Sequence, residues 1–98
     1  MIIVTGRVHA RPDAIDEVLA LSLEHVHRSR LERGCLLHSV HRDVEDPLHV
    51  VFVEQWADAD ALRAHFRVPE SRAFAKRLGE LATEPPGIEI YAAEIANL

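Results

Sequence analysis

The sequence predicts an α+β fold of the order β-α-β-β-α-β, with a four-stranded antiparallel sheet that carries its helices on one face. Three observations predict it. β-branched residues concentrate in short segments, apolar residues recur at helical spacing between some of these segments, and a turn sequence joins the two central ones. The 98 residues have the length of one domain, which we place at residues 1–98.

The first strand and helix come from the N-terminal third of the chain. Residues 1–9 are short and rich in β-branched side chains, which favours a strand. The Arg-Pro-Asp sequence at residues 11–13 is typical of a helix start, because proline is tolerated in the first turn and aspartate suits the positive end of the helix dipole. Apolar residues then recur at helical spacing over residues 15–31, and Gly34 ends the helix.

A hairpin follows. Residues 35–44 and 48–56 both have strand character, and the Glu-Asp-Pro sequence at residues 45–47 is typical of a turn between antiparallel strands. In the second of these strands Val50 and Phe52 lie on one face, and Val51 and Val53 lie on the other.

The C-terminal third predicts helical segments and a closing strand. Asp58 suits the N-cap of a short helix, which must stop at Val68 because a residue before proline avoids the helical region. Residues 70–81 carry a second apolar stripe. The Pro-Pro-Gly sequence at residues 85–87 then breaks the chain before a last strand at residues 88–95.

This order of elements is the ferredoxin-like arrangement, in which two right-handed crossovers place the helices on one face of the sheet. The strands nevertheless carry apolar side chains on both faces. A lone sheet would expose one set, so we predict that a second copy of the chain covers it in a homodimer.

Composition narrows the function. With 48% hydrophobic and 28% charged residues the chain is typical of a folded globular protein, and its net charge of −5 argues against a nucleic-acid partner and against a polybasic membrane anchor. The RNA-recognition motif shares this topology, but its run of basic, glycine and aromatic residues is missing. The single cysteine, Cys35, excludes an internal disulfide. No segment approaches a membrane span and no signal peptide is evident, so we expect a cytoplasmic protein.

The seven histidines do not predict a metal site. His25 and His27 are two positions apart on a helix and point in different directions, and His38 and His41 lie on opposite faces of a strand. A single cysteine cannot supply a thiolate site. We therefore expect no metal and expect most of the histidines to be solvated. No nucleophile elbow or glycine-rich phosphate loop is present either.

Two stretches carry a resemblance to a known family. One is residues 34–43 with the Glu-Asp-Pro turn, and the other is residues 51–58 running into Ala64-His65-Phe66 and residues 71–74. Together they resemble the antibiotic biosynthesis monooxygenase domain family, and the similarity spans nearly the whole chain. The resemblance implies a dimeric α+β barrel with a pocket in each subunit. It also implies that oxygen reacts there with a phenol, quinol or anthrone-like substrate, without flavin or metal.

Trp56 and His65 are the predicted catalytic residues. Trp56 is expected to form a pocket wall that stacks on a planar substrate, with a core-filling role as the alternative. His65 could accept a phenol proton, because imidazole titrates near neutral pH. The resemblance supports both, since relatives carry a tryptophan and often a histidine at these places.

Five further residues are candidates for substrate binding. Glu54 shares a strand face with Phe52 and Trp56, so its carboxylate must be either desolvated, with a raised pKa, or paired. His38 stands where relatives often have tyrosine, and it faces Glu54 only in one hairpin register. The remaining candidates, each with core packing as the alternative, are Phe52, Phe66 and Phe74.

Two other functions remain open. The first is haem binding or haem degradation. The resemblance disfavours it, because haem-degrading relatives have an asparagine where this chain has Gly6, and the spacing from Trp56 to His65 is shorter here. The second is a dimeric small-ligand-binding domain that kept the pocket without the chemistry.

Overall fold

The computed structural model describes residues 1–98 and confirms the predicted α+β fold. The elements, in chain order, are β1 (Ile2–His9), α1 (Ile15–Ser29), β2 (Cys35–Arg42), β3 (His49–Trp56), α2 (Ala59–Arg67), α3 (Pro69–Leu81) and β4 (Gly87–Ala92). The four strands form one antiparallel sheet in the order β2-β3-β1-β4. None of the three helices is long and apolar enough to cross a membrane.

The helix boundaries follow local signals. α1 ends two residues before the predicted limit, so Leu31 lies outside the helix and is 88% exposed. Asp58 caps α2 as predicted, because its side chain accepts a hydrogen bond from the backbone N–H of Ala61 at 2.8 Å. Val68 has an extended backbone, with φ −65° and ψ 125°, which separates α2 from α3 at the predicted proline break.

Gly34 closes the turn between α1 and β2. Its φ of 83° lies in the region that glycine adopts most easily, and a Cβ built there would lie 2.5 Å from the Cβ of Ala61. Its carbonyl accepts a hydrogen bond from the N–H of Ala57 at 2.8 Å, which ties this turn to the end of β3. Glycine is therefore required here by both backbone conformation and space.

The core lies on one face of the sheet. Val18 and Val26 of α1 and Leu78 of α3 belong to the same buried cluster as Val50 and Phe52 of β3. A second, smaller cluster joins α2 to the sheet at Val4, Trp56 and Leu62.

The opposite face of the sheet carries no helix. Side chains there are only half-buried, among them Ile3, Val51 and Val53. The predicted uncovered apolar face is therefore present in the single chain. The homodimer that would cover it stays a prediction.

Candidate functional site

A cavity of about 350 Å³ lies between the sheet and the helices, toward the β1–β4 side. Five of the seven predicted site residues line it, and they are Phe52, Glu54, His65, Phe66 and Phe74. These five residues bring three aromatic rings and two ionisable groups to the wall, and His25, Arg7 and Arg72 add further ionisable groups.

The other two predicted site residues, Trp56 and His38, lie behind this wall. Both are buried, at 0% and 2% exposure, and neither lines the cavity. A molecule in this cavity therefore does not reach the Trp56 indole, in contrast to the expected stacking. Its ring centroid instead lies 4.7 Å from that of His65, so the indole supports the histidine from the core side.

Glu54 is held by the two residues behind the wall. The hairpin register pairs His38 with Glu54, which sequence reasoning could not fix. Trp56 donates its indole N–H to Oε1 of Glu54 at 2.9 Å, and Nε2 of His38 lies 3.4 Å from the same oxygen. Burial works to raise the pKa of Glu54, but His38 and the indole N–H together hold that pKa below its ordinary value. The sequence left two states open for Glu54, a desolvated carboxyl group with a raised pKa or a paired carboxylate, and the structure shows the paired carboxylate.

His65 is oriented by Glu32, which sequence analysis missed. Nδ1 of His65 lies 3.0 and 3.1 Å from the two carboxylate oxygens of Glu32, in the turn after α1. A carboxylate only accepts hydrogen bonds, so the neutral imidazole carries its proton on Nδ1 and leaves Nε2 as a free acceptor. Glu32 lies in a turn far from His65 in sequence, where no periodic pattern marks it.

His25 also belongs to the site and was missed. Its ring stacks on that of Phe74, with centroids 4.0 Å apart and planes 8° apart. Its Nδ1 accepts a hydrogen bond from Nη2 of Arg28 at 2.8 Å, and the same guanidinium nitrogen donates to Oγ of Ser71 at 2.9 Å. A signal existed, because Ser22, His25 and Ser29 continue one buried stripe of α1 at helical spacing.

Burial, followed by the nearby His38, His65 and Arg28, lowers the pKa of His25 to about 3. The ring is therefore neutral at neutral pH. An uncharged His25 avoids adding a second positive charge beside the Arg28 guanidinium.

Three histidines from three elements meet beside the cavity. The ring centroids of His25, His38 and His65 lie 5.2 to 5.6 Å apart. The expectation that most of the seven histidines are solvated is wrong, because only His27 and His41 are exposed. Sequence reasoning compared histidines within one helix or strand, whereas the fold brings together histidines from α1, β2 and α2.

The chain is thus a one-sheet α+β protein with a cavity between sheet and helices that is lined by aromatic and ionisable side chains. Residues 1–77 match the family model of the antibiotic biosynthesis monooxygenases. The chain therefore belongs to the antibiotic biosynthesis monooxygenase family.

Two solved structures agree with this assignment, and one curated relative is similar in sequence over most of the chain. The chain is similar to a crystal structure of an antibiotic biosynthesis monooxygenase, with a TM-score of 0.89 and 29% identity over 97% of this chain and 100% of the other. A candidate antibiotic biosynthesis monooxygenase from Deinococcus radiodurans has a TM-score of 0.92 and 28% identity, with 100% of this chain and 98% of the other covered. An uncharacterised protein from Synechocystis is 33% identical over 90 residues, which cover 92% of this chain. The match spans 61% of that relative's length.

Proposed function

We propose that the protein is a monooxygenase that oxidises a small quinol-like or other electron-rich aromatic substrate with O₂, with no flavin or metal taking part in the reaction. The observation that carries this proposal is the cavity in which His65 and Glu54 lie among aromatic side chains. Such a substrate loses a proton and then passes an electron directly to oxygen. The protein needs to supply a base, an orientation and a cavity that limits access of water.

His65 is the proposed base. Glu32 fixes its tautomer so that Nε2 can accept the substrate hydroxyl proton, and the same carboxylate stabilises the imidazolium that forms. For a substrate that carries a CH₂ group between aromatic rings, one O₂ converts that group to a carbonyl and releases one water. The substrate supplies all the electrons, so the reaction balances without an external reductant.

Glu54 and the aromatic residues are proposed to orient the substrate. The ionised Glu54 carboxylate can accept a hydrogen bond from a second hydroxyl group. Phe52, Phe66 and Phe74 offer ring surfaces for a planar molecule, and Phe66 is 42% exposed, so it can border an entrance. Trp56 acts through Glu54, as a positioning residue.

Haem fits this site poorly. A porphyrin would need open space over an axial imidazole. The His65 ring is instead surrounded, with centroids of neighbouring rings at 4.7 Å for Trp56, 5.3 Å for His25 and 5.6 Å for His38. We therefore propose that haem is not the cofactor.

We also propose a homodimer, whose partner covers the sheet face that carries Ile3, Val51 and Val53. A face of this kind on a free monomer would leave apolar side chains in contact with water. The single cysteine, Cys35, is unpaired, which supports a reducing, cytoplasmic location.

Oxygen uptake with a panel of hydroquinones, naphthols and anthrones tests the proposed reaction. We expect one or more panel members to consume O₂, and we expect His65→Asn to slow uptake by roughly 10²-fold or more, the usual contribution of a general base. The exposed His27→Asn variant is the matched control and should keep the full rate. Uptake no faster than without protein, or full activity in His65→Asn, would overturn the proposal. Saturable binding without uptake would instead identify a ligand-binding domain.

A further inference from the structure

We propose that His25, His38 and His65 bind one divalent transition-metal ion such as Zn²⁺. One ring nitrogen from each of the three lies within 4.8 Å of the others, and all three side chains are buried. Zinc–nitrogen bonds of about 2.0–2.1 Å place two ligands of a tetrahedral ion about 3.4 Å apart, so the rings need to move by roughly an ångström. Three imidazoles are a donor set that suits zinc, copper, nickel and cobalt.

His38 provides an independent observation. Nδ1 of His38 has no hydrogen-bond partner, and Nε2 has only the Glu54 carboxylate oxygen at 3.4 Å, although the residue is only 2% exposed. Buried polar groups in folded proteins are nearly always paired, because an unpaired one loses its interactions with water. Coordination of an ion would satisfy one of these nitrogens.

The groups around the rings suit a cation. The Glu32 carboxylate contacts Nδ1 of the His65 ring, so Nε2 is free to bind an ion. Many metal-binding histidines are oriented by a carboxylate in this way. The Glu54 carboxylate lies 3.4 Å from Nε2 of His38. Two guanidinium groups also contact the cluster. Arg28 contacts the His25 ring, and Arg30 donates a hydrogen bond to the backbone carbonyl of His38 at 3.0 Å, so of the two only Arg28 contacts a histidine ring.

Arg28 must release His25 when an ion binds, because Nδ1 of His25 now accepts its hydrogen bond. The guanidinium keeps the hydrogen bond that it donates to Ser71, so it is not left without a partner. Three protein ligands leave a fourth position on the ion. The cavity borders both His25 and His65, so water or a small ligand can reach that position.

This site does not depend on the proposed oxygen chemistry. An ion on Nε2 of His65 would occupy the lone pair that the base needs, so the two roles exclude each other. Zn²⁺ would therefore act as an inhibitor of the proposed reaction. Binding can be measured with no substrate present, so failure of one proposal is distinguishable from failure of the other.

The test is a titration of EDTA-treated protein with Co²⁺, followed by its visible absorption bands and by displacement with Zn²⁺. We expect about one Co²⁺ per chain and loss of the bands on addition of Zn²⁺. His38→Gln should weaken binding at least tenfold, whereas His41→Gln, which alters an exposed histidine of the same strand, should leave it unchanged. Similarly, His25→Gln should weaken binding and His27→Gln should not.

Absence of stoichiometric Co²⁺ binding, or equal weakening by His38→Gln and His41→Gln, would overturn the proposal. If the variants of buried histidines fail to fold, NMR of the ¹⁵N-histidine-labelled wild type replaces them. Co²⁺ should then shift the signals of His25, His38 and His65 far more than those of His27 and His41. Equal shifts of all five would equally overturn the proposal.

Discussion

The buried His25 ring should make the metal-free protein lose stability in acid. Its pKa is lowered from 6.5 to about 3 in the folded protein, chiefly by burial and then by His38, His65 and Arg28. Between these two values the unfolded chain binds a proton at this residue and the folded protein does not. The free energy of unfolding therefore rises with pH between about 3 and 6.5. When the pH falls below about 6.5, this contribution of His25 to stability is progressively lost.

The size of the effect follows from the two pKa values of His25. Proton linkage gives a loss of about 3 kcal/mol at pH 4.5 relative to pH 7.5, on the way to a limit of about 5 kcal/mol at still lower pH. A single domain of this size is commonly stable by only about 5–15 kcal/mol, so the loss is a large fraction of the total.

Urea unfolding at pH 7.5 and pH 4.5, in EDTA and followed by circular dichroism, measures this loss. The wild type should lose about 3 kcal/mol more than His25→Gln does between the two pH values. His27→Gln, which alters an exposed histidine of the same helix, should keep the wild-type loss. If wild type and His25→Gln lose the same stability, within about 0.5 kcal/mol, then the conclusion that His25 is buried and neutral in the folded protein is wrong.

Three further predictions concern the scaffold. Gly34→Ala should cost about 2 kcal/mol or more and lower Tm by roughly 10 °C in a thermal melt, because a Cβ there meets Ala61 and the positive φ is strained. Adding Ala61→Gly should recover only the stability that the clash with Ala61 costs. Complete recovery would show that the positive φ of residue 34 contributes no strain. Asp58→Ala removes the N-cap of α2 and should lower the free energy of unfolding by about 1 kcal/mol, measured with urea. An unchanged free energy of unfolding would show that this cap does not stabilise the protein. Light scattering should show a dimer for the wild type and a shift to monomer for Val53→Lys, whereas a monomeric wild type would refute the homodimer.

Sequence reasoning predicted the elements because their signals are local. The apolar spacing of α1, the Asp58 cap and the proline after Val68 each lie within a few residues of the boundary that they set. Strand alternation likewise placed Phe52 and Glu54 on one face of β3, and the structure shows that the helices cover this face. The end of α1 was overestimated, because Leu31 fits the apolar spacing but lies beyond the last helical turn.

The contacts of the site depend on tertiary structure and were not predictable in the same way. His38 pairs with Glu54 only in one register of the β2–β3 hairpin. Because both faces of these strands carry apolar residues, their sequence does not distinguish this register from one shifted by a residue. The meeting of Glu32 with His65, and of His25 with both other histidines, depends on how α1 and α2 pack on the sheet. No spacing within one element contains that information.

A crystal structure with a dihydroxynaphthalene bound under anaerobic conditions shows whether the cavity beside His65 and Glu54 binds a small aromatic substrate. We expect the bicyclic ring in the cavity against Phe74, with a hydroxyl group within hydrogen-bond distance of Nε2 of His65 or the Glu54 carboxylate. A ring bound elsewhere, or a cavity filled only by water at saturating ligand, would contradict it.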